Sequence, residues 1–273
     1  MKPMKKVVAF HSLCGVGKAS LTNMIPILSV MGVEVCPIPT ILLSTHTGGY
    51  GAPAMCPVSG AYIENVAKHY RDNKVAFDAI FIGYLGSEEM VSSVRYFINQ
   101  FPETPVILDP IMGDHGKFYQ NLGPTYASCY NQLLACADIV LPNFTEACFL
   151  AHDAYIIQPD AETLSYLCGT LKDKGAKNII VTSVPTTDSQ KGIAIFEGEN
   201  METLSLGEVI GDFHGAGDVF DAVFLGAYLQ GFSLKSCVEK AHTFVCECIL
   251  ESNKYDYPER EGLLIERCIS LLV

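Results

Sequence analysis

Asp78-Ala-Ile-Phe-Ile-Gly83 decides the fold class. Four consecutive apolar residues between an aspartate and a glycine leave no polar face, the pattern of a strand buried on both sides in a parallel sheet. Helical patterns flank it. Residues 59–73 place Tyr62, Ile63, Val66 and Tyr70 on one face, and 87–101 reads as a helix opened by Ser87 with Met90 as its first apolar anchor. Toward the N-terminus, 5–10 (KKVVAF) and 33–39 read as strands. Between them, 19–31 is a helix with Leu21, Ile25, Leu28 and Met31 on one side, expected to be kinked or shortened at Pro26. Toward the C-terminus, strands are expected at 106–108, 138–141 and 178–181, with helices at 126–135 and at 161–174, the latter closed by Gly175. Residues 192–196 and 203–206 form an antiparallel pair, 217–229 is a helix ended by Gly231, and 235–250 and 259–272 are expected to close the chain as helices. This alternation predicts an α/β fold, an open and mostly parallel sheet with helices on both faces. No linker, repeat or compositional break divides it, so one domain over 1–273 is the simplest organisation.

The composition narrows the function. With 273 residues, 49% apolar and 18% charged, the chain can fill one large core and is not a disordered polypeptide. Thirty acidic against eighteen basic side chains give a net charge of −12. That argues against a reader of nucleic-acid backbones and against a polybasic membrane anchor. An anionic ligand must therefore be held by a few local groups, because the whole-protein field repels it. The eleven cysteines are odd in number and scattered through apolar segments, which suits buried reduced thiols, and Cys246 and Cys248 have no second pair at zinc-ligand spacing. The first apolar run is too short for a secretion signal, and no stretch of about 18 uncharged apolar residues is present, so a cytoplasmic protein is expected.

Sheets of this kind bind ligands beyond the C-terminal ends of their strands. The polar residues expected there are Ser12, Tyr84, Asp109, Asp114, Asn143, Thr182 and Ser183. A glycine-rich turn, Gly211-Asp-Phe-His-Gly-Ala-Gly-Asp218, joins them. Its glycines allow a tight turn, and the following helix offers unpaired N–H groups to an anion. Asp218, in the first helical turn, can accept the proton of an attacking alcohol in a phosphoryl transfer. A simple capped helix start satisfies the same residues. Asp109-Pro-Ile-Met-Gly-Asp114 places two carboxylates after a buried strand, suited to hydrated Mg²⁺ or merely to a solvated loop. In Leu141-Pro-Asn-Phe-Thr-Glu146, Glu146 can hold a metal through water and Asn143 can bond a nucleotide phosphate; alone it is a helix start capped by Asn143 or Thr145. Gly15-Val-Gly-Lys18 is not a P-loop, since Ser12 stands where the first glycine belongs and Ala19 follows the lysine.

Taken together and in order, these pieces resemble the ribokinase-like superfamily and, within it, the pyridoxal (vitamin B6) kinases. The resemblance runs from about Val7 to about Leu250 and rests on Ser44-Thr-His-Thr-Gly48, Ile82-Gly-Tyr-Leu-Gly86, Asp109–Asp114, Pro142–Ala147, Val181-Thr-Ser183 and Gly215-Ala-Gly-Asp218. It implies a three-layer αβα sandwich around a central, mostly parallel sheet, and ATP-dependent phosphorylation of the 5′-hydroxyl of pyridoxal, pyridoxamine or pyridoxine. Asp218 would be the general base, and the N–H groups of Gly215, Ala216 and Gly217 an anion hole for the γ-phosphoryl. Asp109, Asp114 and Glu146 would hold Mg²⁺, mostly through water, while Asn143, Thr182 and Ser183 would meet the ATP phosphates. Ser12, Thr47 and Tyr84 would contact the pyridine ring. A homodimer that needs Mg²⁺ is implied, and such kinases often respond to K⁺. Ala216 replaces the usual Thr or Val, and Lys18 stands where an Asn is common. Hydroxymethylpyrimidine phosphate kinases share much of the pattern but usually carry Cys at the position of Asp218, and sugar kinases of the superfamily usually add a β-lid for which no clear room is read here. A non-catalytic B6- or nucleotide-binding protein is the remaining alternative. The flap over ATP is expected within 206–214.

Overall fold

The computed structural model describes residues 4–120, 122–186, 191–207 and 209–273; Glu208 of the expected flap lies outside them. In chain order the elements begin β1 (Lys5–Val16), α1 (Leu21–Val30), β2 (Val33–Thr45), β3 (Met55–Pro57), α2 (Gly60–Asp72), β4 (Ala79–Ile82) and α3 (Glu88–Asn99). They continue with β5 (Val106–Leu108), β6 (Gly113–Asp114), β7 (Lys117–Phe118), α4 (Pro124–Leu134), β8 (Ile139–Val140), α5 (Phe144–Ala151) and α6 (Ala161–Asp173). The last are β9 (Asn178–Pro185), β10 (Lys191–Glu197), β11 (Asn200–Leu204), α7 (Ala216–Leu229), α8 (Leu234–Ser252) and α9 (Ile265–Cys268). The strands are mostly parallel and flanked by helices, an α/β fold as expected. The chain gathers into two compact units, Met1–Ser59 with Ala76–Ala79 and Glu208–Val273, and Gly60–Val75 with Ile80–Gly207.

In the first unit β1 and β2 pair in parallel from Lys5↔Val33 to Val16↔Thr45, with a register shift between His11 and Leu13, and β3 pairs antiparallel with β2. Both long strands run past the ends expected from sequence, Phe10 and Pro39. Pro37 and Pro39 lie inside β2, in register with Ala9 and His11 of β1 and outside the stretch 41–43 that β3 pairs. Pro26 does not stop α1, which continues to Val30. Val7, Val8, Ala9 and Phe10 are wholly buried, as are Leu21, Met24, Ile27 and Leu28 of α1. Every residue of α7 from Asp218 to Ala227 is buried, which fits a helix that is apolar on all sides.

The expected final helix over 259–272 is not formed. A 3₁₀ turn at Glu259–Glu261 stops at Gly262, whose φ of 79° leaves the helical region, and only short helical turns follow from Ile265.

In the second unit the strand order is β11-β10-β9-β8-β5-β4, with β4, β5, β8 and β9 parallel and β10 and β11 antiparallel additions. Ile80, Phe81 and Ile82 are fully buried, as the continuous apolar run predicts. Ser87 caps α3 by accepting the Met90 N–H at 3.2 Å. Residues 109–118 hold a small hairpin, β6 with β7, fastened by Phe118 stacking on Phe149 at 3.9 Å. No helix among the described residues is long and apolar enough to cross a membrane.

Candidate active site

The first unit builds its site where α7 begins. Gly215 is the N-cap, with φ 78°, and the first intrahelical bond runs from Val219 N–H to Gly215 O at 3.0 Å. Ala216, Gly217 and Asp218 therefore start the helix with N–H groups that have no acceptor inside it. A Cβ on Gly215 would lie 2.2 Å from the Lys18 carbonyl oxygen, so the close approach and the positive φ both require glycine. Asn23 fastens the same corner, its amide donating to Lys18 O at 2.9 Å and Gly215 O at 3.2 Å. A Cβ on Gly217 would meet nothing within 4 Å. The helix mouth is tight on the Gly215 side and open on the Gly217 side, the shape an anion needs.

Asp218 is 9% exposed, and both of its carboxylate oxygens are engaged. The Ser20 N–H donates to Oδ2 at 2.7 Å, and His11 Nε2 lies 2.9 Å from Oδ1. Ser12 is buried and exchanges a 2.7 Å hydrogen bond with the Ser20 hydroxyl, while Thr47 is exposed. Beside Thr47, the His46 ring is anchored by Arg260 O at 2.6 Å and Gly48 N–H at 3.1 Å, and it lies 4.8 Å from the His214 ring. Burial first, then His46, pushes His214 below the usual imidazole value. Lys18 turns onto the C-terminal segment, pairing with Glu266 at 3.0 Å, so it is a brace for the loop that carries Ser20.

The second unit holds the acidic residues. Asn143 and Glu146 form a capping box at the start of α5: Asn143 Oδ1 accepts the Glu146 N–H at 3.0 Å, and Glu146 Oε2 accepts the Asn143 N–H at 2.9 Å. Glu146 Oε1 also accepts the Met112 N–H at 3.0 Å, and the Asn143 amide donates to Gly113 O at 2.8 Å. The motif read as a helix start is one, and the cap ties it to the loop after β5. Burial, and then the charge of Asp109, push the Glu146 carboxyl well above the usual range. Asp109 and Glu146 are both buried, and hard oxygen donors of this kind suit Mg²⁺. Among the described residues no three His, Cys, Asp or Glu side chains gather as a metal cage. Mg²⁺ in phosphoryl-transfer sites keeps several waters and takes only one or two carboxylates, so the pair of acids fits it.

Asp114 stands beside a cavity of about 290 Å³ that Thr145, Tyr155, Ser183, Thr186 and Lys191 also line. Ser183 has φ 54°, a conformation a serine keeps only when its surroundings impose it. Thr182 donates its N–H to Pro142 O at 2.9 Å and thereby joins β9 to the Asn143 turn. Tyr84 is partly buried, and the loop after it is held by Gly86 N–H donating to the Tyr126 hydroxyl at 3.1 Å.

The structure thus places Ser12, Thr47 and Gly215–Asp218 in the first unit and Tyr84, Asp109, Asp114, Asn143, Glu146, Thr182 and Ser183 in the second. The polar residues that escaped the sequence as site candidates include His11 and Lys191. Only their places at a strand bulge and a strand start distinguish them from ordinary core and surface residues.

A kinase with a ribokinase-like α/β fold is the class that this architecture and the chain's relatives define. The chain belongs to the phosphomethylpyrimidine kinase family, whose profile matches residues 27–260. It is 33% identical to a Bacteroides thetaiotaomicron protein assigned to the phosphomethylpyrimidine kinases and crystallised with pyridoxal, with a TM-score of 0.92 over 98% of this chain and 96% of that one. Against the pyridoxal kinase of Lactobacillus plantarum the identity is 29% and the TM-score 0.89, covering 98% and 96% of the two chains. A pyridoxal kinase of Corynebacterium diphtheriae is 29% identical over 88% of this chain and 86% of its own length.

Proposed function

We propose that the protein transfers the γ-phosphoryl group of ATP to the 5′-hydroxyl of pyridoxal, pyridoxamine or pyridoxine. The observation that carries this reading is a carboxylate, Asp218, fixed by two hydrogen bonds at the third position of a helix whose first N–H groups are open to an anion. The relatives named for pyridoxal, and the one crystallised with it, favour the vitamer alcohol.

In this reading Asp218 takes the proton as the alcohol oxygen attacks phosphorus. The N–H groups of Ala216 and Gly217 receive the charge that develops on the phosphoryl oxygens. A helix N-terminus supplies at most about 2 kcal/mol to an anion, which is not enough to hold a nucleotide against a net charge of −12. The remaining attraction would fall to Mg²⁺, which Asp109 and Glu146 would hold, with Asp114 reaching it through water, and which would neutralise phosphate charge, and to Lys191, which lines the same cavity as Ser183 and Thr186. Asn143 steadies the Gly113 turn, and Thr182 and Ser183 present hydroxyls to the phosphates. Ser12, Thr47 and Tyr84 would be the contacts of the acceptor's ring in this reading.

A relative from Haemophilus influenzae named hydroxymethylpyrimidine/phosphomethylpyrimidine kinase supports a second acceptor, a hydroxymethylpyrimidine. The Asp218 carboxylate argues for the vitamer, because kinases of that pyrimidine usually carry a cysteine there. A panel of alcohols with Mg-ATP and coupled ADP detection separates the two. The expected result is a kcat/KM for at least one B6 vitamer at least about 10-fold above that for hydroxymethylpyrimidine, a difference of about 1.4 kcal/mol in transition-state binding. The reverse order would assign the protein to pyrimidine phosphorylation.

Gly217→Ala tests the anion hole. The new methyl meets no protein atom, and replacing a helical glycine stabilises by roughly 0.4–1 kcal/mol. The expected outcome is an unchanged or raised Tm with turnover reduced at least about 10-fold, because the methyl occupies the space the phosphoryl group needs. Full activity in that variant would move the anion elsewhere.

A further inference from the structure

We infer that His11 is a positioning residue for phosphoryl transfer, a fixed neutral N–H donor that holds the Asp218 carboxylate in the orientation from which it takes the alcohol proton. The inference rests on the reading of Asp218 as the base and adds to it the group that aims the base.

The geometry settles which proton is where. His11 is 1% exposed, at the point where the β1–β2 register shifts. Its Nδ1 accepts the Ser12 N–H at 2.9 Å, a bond that needs a bare lone pair on that nitrogen. The ring proton therefore sits on Nε2, which donates to Asp218 Oδ1 at 2.9 Å. The backbone sets the tautomer, and the tautomer sets the direction of the donor. On the other side of the carboxylate, Ser20 N–H donates to Oδ2 at 2.7 Å. One donor on each oxygen fixes both the position and the plane of the group, leaving the remaining lone pairs for the substrate.

The same bonds rule His11 out as a relay. Its Nε2 already carries a proton, and its Nδ1 is covered by the Ser12 N–H. As the alcohol O–H bond breaks, its proton passes to Asp218. The oxygen–phosphorus bond forms, the bond from γ-phosphorus to the bridging oxygen breaks, and ADP leaves with that electron pair. Asp218, now a neutral acid, later returns its proton to solvent. His11 keeps its protonation throughout and contributes geometry. A displacement of about 1 Å in a catalytic group costs on the order of 10²-fold in rate.

Two variants and one spectroscopic measurement test this. His11→Gln carries an amide N–H near the place of Nε2, and His11→Leu carries none. With Mg-ATP and pyridoxal as probes, His11→Leu is expected to lose about 10–100-fold in kcat with both KM values within about threefold of wild type. His11→Gln should recover most of that loss, which a purely structural role does not predict. In the ¹⁵N spectrum of the wild type, His11 should show a protonated Nε2 and a bare Nδ1, and this readout stands even if His11→Leu does not fold. Wild-type kcat in His11→Leu, equal impairment in both variants, or a protonated Nδ1 would each overturn the inference. If Asp218→Asn is inactive while His11→Leu turns over normally, the inference alone fails. If Asp218→Asn itself turns over normally, the reading of the site fails and His11 has no base to aim.

Discussion

Asp218→Asn is expected to bind pyridoxal and nucleotide as the wild type does and to turn over roughly 10²–10⁴-fold more slowly. The amide has almost the volume of the carboxylate and cannot accept the alcohol proton. It also brings a donor into a pocket of donors. The carboxylate now accepts from His11 Nε2 and from Ser20 N–H, one bond on each oxygen. Asn can face only one of them with its oxygen, so its NH₂ must confront the other. That mismatch is expected to cost about 1–3 kcal/mol of stability. The variant should therefore show two separable effects, a lowered Tm and a lost chemical step. Isothermal titration with the vitamer and stopped assays for ADP distinguish them. Turnover close to wild type in a folded variant would remove Asp218 from the chemistry.

Gly215→Ala is the second large effect. The position has φ 78°, and the added methyl would stand 2.2 Å from the Lys18 carbonyl oxygen, a backbone atom that cannot rotate away. A left-handed conformation in a non-glycine residue costs about 1–3 kcal/mol before any clash is counted. The strain can be relieved only by moving the start of α7 or the loop at Lys18. Either movement disturbs Asp218, since Ser20, which donates to its Oδ2, is two residues beyond Lys18. A Tm several degrees lower and activity reduced at least about 100-fold are expected, with binding of the alcohol much less affected. A Gly215→Ala protein that melts and turns over like the wild type would contradict the close packing at this corner.

Much of the fold was legible because single residues marked it. The run from Ala79 to Ile82 is buried on both faces, Ser87 caps α3, and the expected antiparallel pair forms as β10 and β11, with β11 at Asn200–Leu204 instead of 203–206. The misreadings have local causes. The strand expected to end at Pro39 continues to Thr45, paired with β1 along its length and with β3 at 41–43. Residues 259–272 have helical apolar spacing, but Gly262 adopts a positive φ and breaks the segment. In the site, Gly215–Asp218 was legible because glycine before a helix and an acid in its first turn have one local logic. Asn143 was legible as one of two possible caps, and the structure adds Glu146 to it as a capping box. His11 was not, because a lone histidine in an apolar strand looks like any core residue, and its partner lies 207 positions away in the chain. Only the fold brings the two together.

The most direct test of the account is the identity of the product. Wild-type protein and Asp218→Asn are incubated with Mg-ATP and a mixture of pyridoxal, pyridoxamine and pyridoxine, and the products are read by mass spectrometry. The predicted result is a vitamer carrying one added phosphoryl group on its 5′-oxygen with the wild type, and little or none with the variant. ADP formed without a phosphorylated vitamer, or equal product from both proteins, would contradict it.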